Sequence, residues 1–147
     1  MLKDIQRLKA TGDYAALSSL IPYAQVIGLQ CGLEDGAMIT RLVHRESNIG
    51  NFQMAVIHGG TVAALLEHAA IFQLFYEMDI KAIPRIINIS VDYLRPGRAE
   101  DTYASATLIK QGRRIANVRI QAWQSDRARP VAAAHAHFLL SQAKEKP

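Results

Sequence analysis

At residues 57–67 the chain reads Ile57-His58-Gly59-Gly60-Thr61-Val62-Ala63-Ala64-Leu65-Leu66-Glu67. A histidine and two glycines precede a largely apolar run, so we expect the glycine pair to open a helix. The first N–H groups of a helix have no intrahelical acceptor, and they lie at the positive end of the helix dipole. Because glycine has no Cβ, a ligand can come close to this backbone. The stretch therefore predicts a binding site for a carbonyl or anionic oxygen.

The residues after this turn predict one long helix over 60–78. Apolar side chains recur at helical spacing on two of its sides: Val62, Leu65, Leu66, Ala69, Phe72 and Tyr76 on one, and Ala63, Ala70, Ile71, Leu74 and Met78 on the other. A helix that is apolar on nearly all sides is a buried one. Glu67 falls on the second side. A buried carboxylate is costly unless it is paired or neutral, so Glu67 is either a general acid or base or a structural group with hydrogen-bond partners. The neighbouring His-Gly-Gly turn favours the first.

The rest of the chain predicts short helices before this segment and strands on both sides of it. Residues 2–20 have helical spacing, with a break at 11–13 where Asp13 caps a second short helix, and Pro22 is expected to end it. Alternating and turn-bounded segments predict the remaining elements: strands at 25–33 and 37–43 joined by a turn at Glu34-Asp35-Gly36, a polar loop at 45–56, and strands at 86–94, 102–110, 114–124 and 131–140. The polar tail at 141–147 is expected to fray. Because hairpin-connected strands pair antiparallel, the sequence predicts an α+β fold in which such a sheet wraps the buried helix.

Length and composition limit the possible functions. The 147 residues suffice for one domain with a real core, and we expect a single domain over 1–147, with its core at about 25–140 and a helical segment at 1–22. No apolar run approaches the ~20 residues of a membrane span, and the start lacks the apolar region of a secretory signal. We therefore expect a cytoplasmic protein without a membrane partner. The formal charge of 17 − 13 = +4 suits an anionic ligand, but no basic helix or aromatic-studded basic strand points to nucleic acid.

The interval between His58 and Glu67 is nine residues. On an α-helix this corresponds to ~13 Å of rise and about half a turn of rotation, so one chain does not easily bring both groups to the same small bond. If both act on one substrate, Glu67 meets the His-Gly-Gly turn of a second chain. The sequence thus predicts a dimer with sites at its interface.

Two further motifs lie in the strand region, and they are Val91-Asp92-Tyr93-Leu94-Arg95-Pro96-Gly97 and Lys110-Gln111-Gly112-Arg113-Arg114-Ile115-Ala116. Together with His58-Gly59-Gly60 and the acid at Glu67, they resemble the hotdog-fold acyl-CoA thioesterases of the phenylacetate-pathway (PaaI-like) type, within the 4-hydroxybenzoyl-CoA thioesterase superfamily. The resemblance covers roughly residues 25–140. It implies a long central helix wrapped by a curved antiparallel sheet, with chains paired into homodimers and often homotetramers.

The resemblance also implies an activity, the hydrolysis of an acyl-CoA or acyl-carrier thioester to a free acid and a thiol. CoA is then part of the substrate, and no separate cofactor is expected. In such enzymes a glycine N–H at the helix start polarises the thioester carbonyl, a role that carries to Gly59 or Gly60 and preferably to Gly59. Glu67 would act as general base for water or as nucleophile, and His58 would orient the loop or bind the substrate. The candidates for binding the CoA phosphates are the cations of the two strand motifs: Arg95, Arg98, Lys110, Arg113 and Arg114.

Two positions depart from the family pattern. The family's water-positioning Asn or Gln commonly lies six residues before the histidine, where this chain has Phe52, and we expect the adjacent Asn51 to serve instead. Some members with a glutamate also have a Thr four residues after it, and here that residue is Ile71. These departures leave open a non-catalytic acyl-CoA-binding protein of the same fold. A hotdog dehydratase is disfavoured. The resemblance to that class implies a histidine and an acid in a different loop context and at a wider interval than the nine residues found here.

Three histidines and the single cysteine are not expected to take part in the chemistry. His135 and His137 share one strand face, but without a nearby Cys or acid cluster they do not predict a metal site. His68 points ~100° away from Glu67 on the helix and is expected at the helix surface or an interface. Cys31, the single cysteine, is expected to be a small buried apolar residue.

Overall fold

The computed structural model describes residues 1–140, and the predicted frayed tail at 141–147 lies outside them. Three α-helices and eight strands make up the fold: α1 (Leu2–Thr11), α2 (Pro22–Ile27), β1 (Leu29–Glu34), β2 (Ala37–Leu42), β3 (Ile49–Asn51), β4 (Val56–Ile57), α3 (Gly59–Glu77), β5 (Arg85–Tyr93), β6 (Thr102–Gln111), β7 (Ile115–Trp123) and β8 (Ala132–Leu139). Two short 3₁₀ helices lie at Tyr14–Leu20 and Glu46–Asn48.

Six strands form one antiparallel sheet in the order β1-β2-β6-β7-β8-β5. Each of these strands contacts α3, so the sheet curves around the helix. The predicted α+β hotdog fold is confirmed. Strand β5 pairs only with β8 within the part of the chain that the structure describes, and its other edge carries unpaired backbone groups along nine residues. Such an edge is a template for a further strand.

The core lies between α3 and the concave face of the sheet. Phe72 and Phe75 of α3 pack there with Phe138 of β8, and all three are almost completely buried. Alternate residues of β8, from Ala132 to Ala136, face the helix and are small. Small side chains on this strand allow helix and sheet to approach closely.

The structure corrects the prediction around Pro22. The 3₁₀ helix that Asp13 caps ends at Leu20, just before Pro22, as expected. Pro22 also begins a further helix, α2, because its fixed φ suits the first turn, where a missing N–H removes no hydrogen bond. Gly28 then ends α2 in the left-handed conformation, with φ 85°. The prediction of a strand from residue 25 was therefore wrong, since β1 begins only at Leu29 and the helical segment extends to Ile27.

The predicted polar loop at 45–56 contains more structure than expected. It includes the second 3₁₀ helix, β3 and the start of β4, which pair as a small two-stranded sheet. The hairpin turn before β2 is confirmed, with Asp35 and Gly36 both at positive φ, as a tight two-residue turn requires. No helix within residues 1–140 is both long enough and apolar enough to cross a membrane, and the cytoplasmic location stays a prediction.

A carboxylate, Asp101, joins the end of β2 to the start of β6. Its Oδ1 accepts the backbone N–H of His44 at 2.7 Å, and its Oδ2 accepts the guanidinium of Arg41, with Nε at 2.9 Å. The hydrogen bond from the His44 N–H, which is the largest cause, and the hydrogen bond from the Arg41 side chain hold the pKa of Asp101 below its usual value. The folded chain therefore stabilises the carboxylate form of Asp101 more than the unfolded chain does.

Substitution of Asp101 tests this contact through the pH dependence of stability. A carboxyl with a lowered pKa contributes stability that is complete above its unfolded pKa, about 3.9, and is lost as the pH falls through the folded pKa. We expect Asp101→Asn to be less stable than wild type at neutral pH, with the difference shrinking below about pH 4. Urea unfolding at several pH values measures this. Asp79→Asn, at an exposed position, is the control, and an equal pH response in both variants would contradict the assignment.

Candidate active site

The start of α3 is organised by His58, its N-cap residue. The N–H of Gly60 donates to His58 Nδ1 at 2.9 Å, and the N–H groups of Thr61 and Val62 donate to the His58 carbonyl at 2.9 and 3.1 Å. His58 donates its own N–H to the Asn48 carbonyl at 2.8 Å. Within residues 1–140, the N–H of Gly59 has no acceptor. Of the two glycines considered as carbonyl-polarising donors, Gly59 is thus the one whose N–H is available, while that of Gly60 is engaged.

Gly59 also lines a cavity of about 290 Å³. Its walls are mainly apolar and come from three segments: Val56, Ile57, Gly59, Val62, Tyr93, Leu94, Arg95, Pro96, Gly97 and Val131. Two of the sequence motifs therefore meet here, the His-Gly-Gly turn and the end of β5. Tyr93 joins them directly, since its hydroxyl donates to the Gly59 carbonyl at 2.8 Å. A cavity of this kind, apolar with a few polar groups, is typical of a small-molecule site.

Glu67 lies away from this cavity, eight residues along α3 from Gly59, which is ~12 Å of helical rise. The prediction that it is buried was wrong: Glu67 is half-buried, as are Ala63 and Ile71 on the same face of the helix. The sheet covers the opposite face and leaves this one partly open. No hydrogen bond or ion pair engages the Glu67 carboxylate within the described part of the chain. Glu67 is therefore available to a ligand, but not to one confined to the same chain's cavity.

The structure places Asn51 in an exposed turn rather than in the cavity wall. Its Oδ1 accepts the N–H of Met54 at 3.0 Å, closing a turn that presents Phe52 and Met54 to solvent. Ala55 has a positive φ of 50° at the end of this turn. Asn51 therefore does not line the cavity, although it pairs with Val56, which does.

The five cations named for the CoA phosphates fall into two groups. Arg95 lines the cavity and donates to the Pro130 carbonyl at 2.7 Å, and Arg98 lies close by, its backbone bonded to the Gln124 side chain. Lys110, Arg113 and Arg114 lie at the hairpin between β6 and β7. Eight steps along β6 separate Thr102, beside Arg98, from Lys110, which is about 26 Å. One chain does not bring the two groups to one ligand.

The histidines outside the turn have structural contacts. His68 is buried, its Nδ1 lies 2.7 Å from the Ala64 carbonyl, and its ring packs between Tyr23 and Phe72. The expectation of a surface or interface position was therefore wrong, because the rings of Tyr23 and Phe72 pack against His68. His137 Nδ1 lies 2.7 Å from Asn88 Oδ1 on the neighbouring strand. Among residues 1–140 no three His, Cys, Asp or Glu side chains lie close enough to hold a metal ion.

Sequence reasoning missed two residues that support the turn. Asn48 is buried, donates its side-chain amide to the Ile27 carbonyl at 2.7 Å and accepts His58 N–H through its own carbonyl. Gly50 passes so close to His58 that a Cβ on it would lie 2.7 Å from His58 Cα. The available signal was a glycine and an asparagine close before the His-Gly-Gly turn, but only the pairing of β3 with β4 shows which residue each one touches.

Comparison with known proteins gives a consistent result. The family model described as the acyl-CoA thioesterase N-terminal domain matches residues 49–139. The medium/long-chain acyl-CoA thioesterase YigI of Salmonella typhimurium is 25% identical over 135 residues, covering 82% of this chain and 86% of that protein. The protein of the same name from Escherichia coli is 30% identical over 86 residues, 50% of this chain and 56% of its own length.

Solved structures agree with the fold. A crystal structure of a Chromobacterium violaceum protein superposes with a TM-score of 0.77 at 33% identity, covering 97% of this chain and 99% of that one. A mutant of the phenylacetic acid degradation protein PaaI from Thermus thermophilus has a TM-score of 0.67 at 21% identity, covering 82% of this chain and 100% of the other. At that identity the second likeness concerns the fold alone.

Because Gly50 lies so close to His58, we expect a methyl group at residue 50 to destabilise the fold. Gly50→Ala forces β3 away from the helix start, and we expect the free energy of unfolding to fall by about 1–3 kcal/mol. Gly32→Ala is the matched control, because a Cβ on Gly32 meets no atom within 4 Å; its effect should stay below about 0.5 kcal/mol. Urea unfolding of both variants measures the difference. If the two variants were equally stable, the close contact between β3 and His58 would not limit the size of the side chain at residue 50.

Proposed function

The chain belongs to the acyl-CoA thioesterase family, and from this premise we propose that it hydrolyses acyl-CoA thioesters with Gly59 and Glu67 as its central groups. The observation that carries the proposal is that Gly59, whose N–H has no acceptor among residues 1–140, lines an apolar cavity. A thioester carbonyl placed there would accept this hydrogen bond. As water attacks, negative charge develops on the carbonyl oxygen, and a fixed donor stabilises it most when it is already oriented.

The proposed role of Glu67 is to activate the water. A carboxylate without a hydrogen-bond partner among the described residues is free to accept a proton from water. The same group could instead attack the carbonyl as a nucleophile, forming an anhydride that water then opens. In either case the thiol of CoA leaves after the tetrahedral intermediate collapses.

The geometry favours a site made by two chains. Because Gly59 and Glu67 are ~12 Å apart along one helix, they cannot flank one carbonyl carbon in a single chain. The open edge of β5 and the half-buried face of α3 around Glu67 are both surfaces that a second copy would cover. We propose a homodimer, by itself or within a homotetramer, in which Glu67 of each chain faces the Gly59 turn of the other.

For the substrate we propose an acyl-CoA with an apolar acyl group. The apolar walls beside Gly59 support this, and the YigI relatives carry the name of medium/long-chain acyl-CoA thioesterases. Arg95 and Arg98 of one chain, with Lys110, Arg113 and Arg114 as a second group, are the proposed contacts of the CoA phosphates. His58 is proposed to hold the turn through Nδ1 rather than to touch the reacting bond.

A non-catalytic acyl-CoA-binding protein is the second candidate. Two observations favour it: Asn51 is engaged in its own turn, and Ile71 supplies no hydroxyl beside Glu67. The groups that position water in relatives of this type are thus incomplete in one chain. Turnover by the purified protein separates the two candidates.

Replacement of Glu67 tests the proposed base. With a panel of acyl-CoAs of increasing chain length, we expect wild type to release free thiol and Glu67→Gln to lower kcat by roughly a hundredfold or more, since the amide cannot take a proton from water. Glu77→Gln is the control on the same helix. Glu77 is exposed and accepts a hydrogen bond from Gln73 at 2.7 Å, which an amide oxygen can also accept.

Two results would count against the assignment. If Glu67→Gln hydrolyses as fast as wild type, the base lies elsewhere. If wild type binds acyl-CoA but releases no thiol above background, the binding-protein function is the correct one.

Mixing two inactive variants tests the shared site. Gly59→Pro removes the free N–H, and the backbone accepts proline there, because Gly59 is the first helical residue and His58 is extended at φ −60° and ψ 131°. Gly59→Ala retains the N–H and is its control. After unfolding and refolding Gly59→Pro with Glu67→Gln in equal amounts, we expect about a quarter of wild-type activity, because half of the dimers are mixed and each mixed dimer has one intact site of two.

Absence of any recovery in the mixture, with each variant inactive by itself, would place both groups in the same chain's site. Light scattering of the wild type accompanies the experiment, and a monomer at micromolar concentration would exclude the two-chain site directly.

A further inference from the structure

The peptide group between Gly59 and Gly60 is held at both of its polar atoms by side chains. Tyr93, at the end of β5, donates its hydroxyl to the Gly59 oxygen at 2.8 Å. The Gly60 nitrogen donates its hydrogen to His58 Nδ1 at 2.9 Å. Because a peptide group is planar, fixing its oxygen and its N–H fixes the plane. Two elements distant in sequence therefore set the orientation of this one group.

The preceding peptide group, between His58 and Gly59, is held on one side only. Its carbonyl oxygen accepts the N–H groups of Thr61 and Val62, while its own N–H, on Gly59, has no acceptor in the part of the chain that the structure describes. The direction of that N–H depends on the two dihedral angles that join the planes on either side of Gly59. Glycine constrains these angles less than any other residue, so the constraint must come from the neighbours of the plane.

We infer that Tyr93 is a positioning residue for the Gly59 N–H, an inference that rests on the proposed function of that group. Besides the hydrogen bond, the ring lies against the glycine itself, since a Cβ on Gly59 would be 3.4 Å from two ring carbons of Tyr93. The ring thus limits the movement of the Cα, and the hydroxyl limits the rotation of the plane. Tyr93 acts through Gly59 and needs no contact with the reacting bond.

A purely structural role explains Tyr93 less well. Tyr93 is 57% exposed in the single chain, so it contributes little to the core of that chain. Its single hydrogen bond among the described residues goes to the first carbonyl of α3. Loss of one hydrogen bond at an exposed position has a small effect on stability, whereas a small misplacement of a reacting group has a large effect on rate.

The kinetic test uses Tyr93→Phe, which retains the ring and removes only the hydroxyl. We expect kcat to fall about tenfold, with KM within about twofold of wild type and an unchanged melting temperature, because orientation in the transition state is lost while binding is not. Tyr103→Phe is the control. Tyr103 lies on β6 of the same sheet, stacks on Trp123, and its hydroxyl has no hydrogen bond among residues 1–140. A kcat within twofold of wild type for Tyr93→Phe, or an equal loss in Tyr103→Phe, would overturn the inference.

A second measurement does not require turnover. The probe is a ketone analogue of an acyl-CoA in which CH₂ replaces the thioester sulfur and the carbonyl carbon is ¹³C, and its C=O stretching frequency is measured bound to each variant. A hydrogen bond from Gly59 lowers this frequency. We expect wild type and Tyr103→Phe to lower the C=O frequency by the same amount. Tyr93→Phe should lower it clearly less. Equal lowering in all three proteins would overturn the inference.

The two measurements also separate this inference from the proposed function. If wild type releases no thiol but lowers the ketone frequency and Tyr93→Phe does not, hydrolysis fails and the positioning role stands. If Gly59→Pro lowers the frequency as much as wild type does, the carbonyl is bound elsewhere, and both the proposed role of Gly59 and the role of Tyr93 are refuted.

Discussion

The rest of the structure depends on the need to cover α3, a helix that is apolar on nearly every side. Water would have to solvate this surface if it were left open, so the chain must supply cover in all directions. Six strands cover one side, and the N-terminal segment covers the far end, where Tyr14 packs edge-on against Tyr76. One face, around Glu67, receives only partial cover from the chain itself. That partial cover gives the carboxylate access to solvent, and it leaves open the surface that the proposed homodimer would cover.

The opposite requirement acts at the N-terminus of α3, where polar groups need partners. Most of these needs are met locally: His58 supplies both a ring nitrogen and a carbonyl, and Asn48 and Tyr93 hold the turn from two other segments. The exception is the N–H of Gly59, which has no acceptor in the described residues 1–140. The start of α3 thus combines one open backbone donor with the apolar lining of the neighbouring cavity. In the proposed function this donor would bind the carbonyl oxygen of the substrate, and the apolar lining would surround the attached acyl chain.

Much of this arrangement could be predicted from the sequence, because local patterns determine it. The period of α3 and the alternation in β5–β8 are properties of neighbouring residues, and the His-Gly-Gly turn marks the helix start by itself. The errors arose where tertiary contacts decide. Pro22 suits both the end of one helix and the start of the next, and only the position of Gly28 shows that another turn of helix follows. His68 is buried because Tyr23 of α2 packs against it. The 45–56 segment contains strands because β3 pairs with β4. The bond from Tyr93 to Gly59 joins residues 34 positions apart and leaves no periodic trace in the sequence.

The order of strands in the sheet has a consequence for how the chain acquires its structure. The first hairpin, β1–β2, is synthesised early, but its neighbour in the sheet is β6, with Arg41 opposite Tyr103. The Lys9 ammonium likewise donates to the carbonyl of Met78, at the end of a helix made much later. Contacts between such distant residues form slowly, because a long loop must close before any of them is gained. The N-terminal third can form its internal contacts early, including the β1–β2 hairpin and its packing on the first 3₁₀ helix. Its attachment to the rest of the sheet requires β6, so the six-stranded sheet is complete only after α3 and β5, which lie between them in the chain, have also been made.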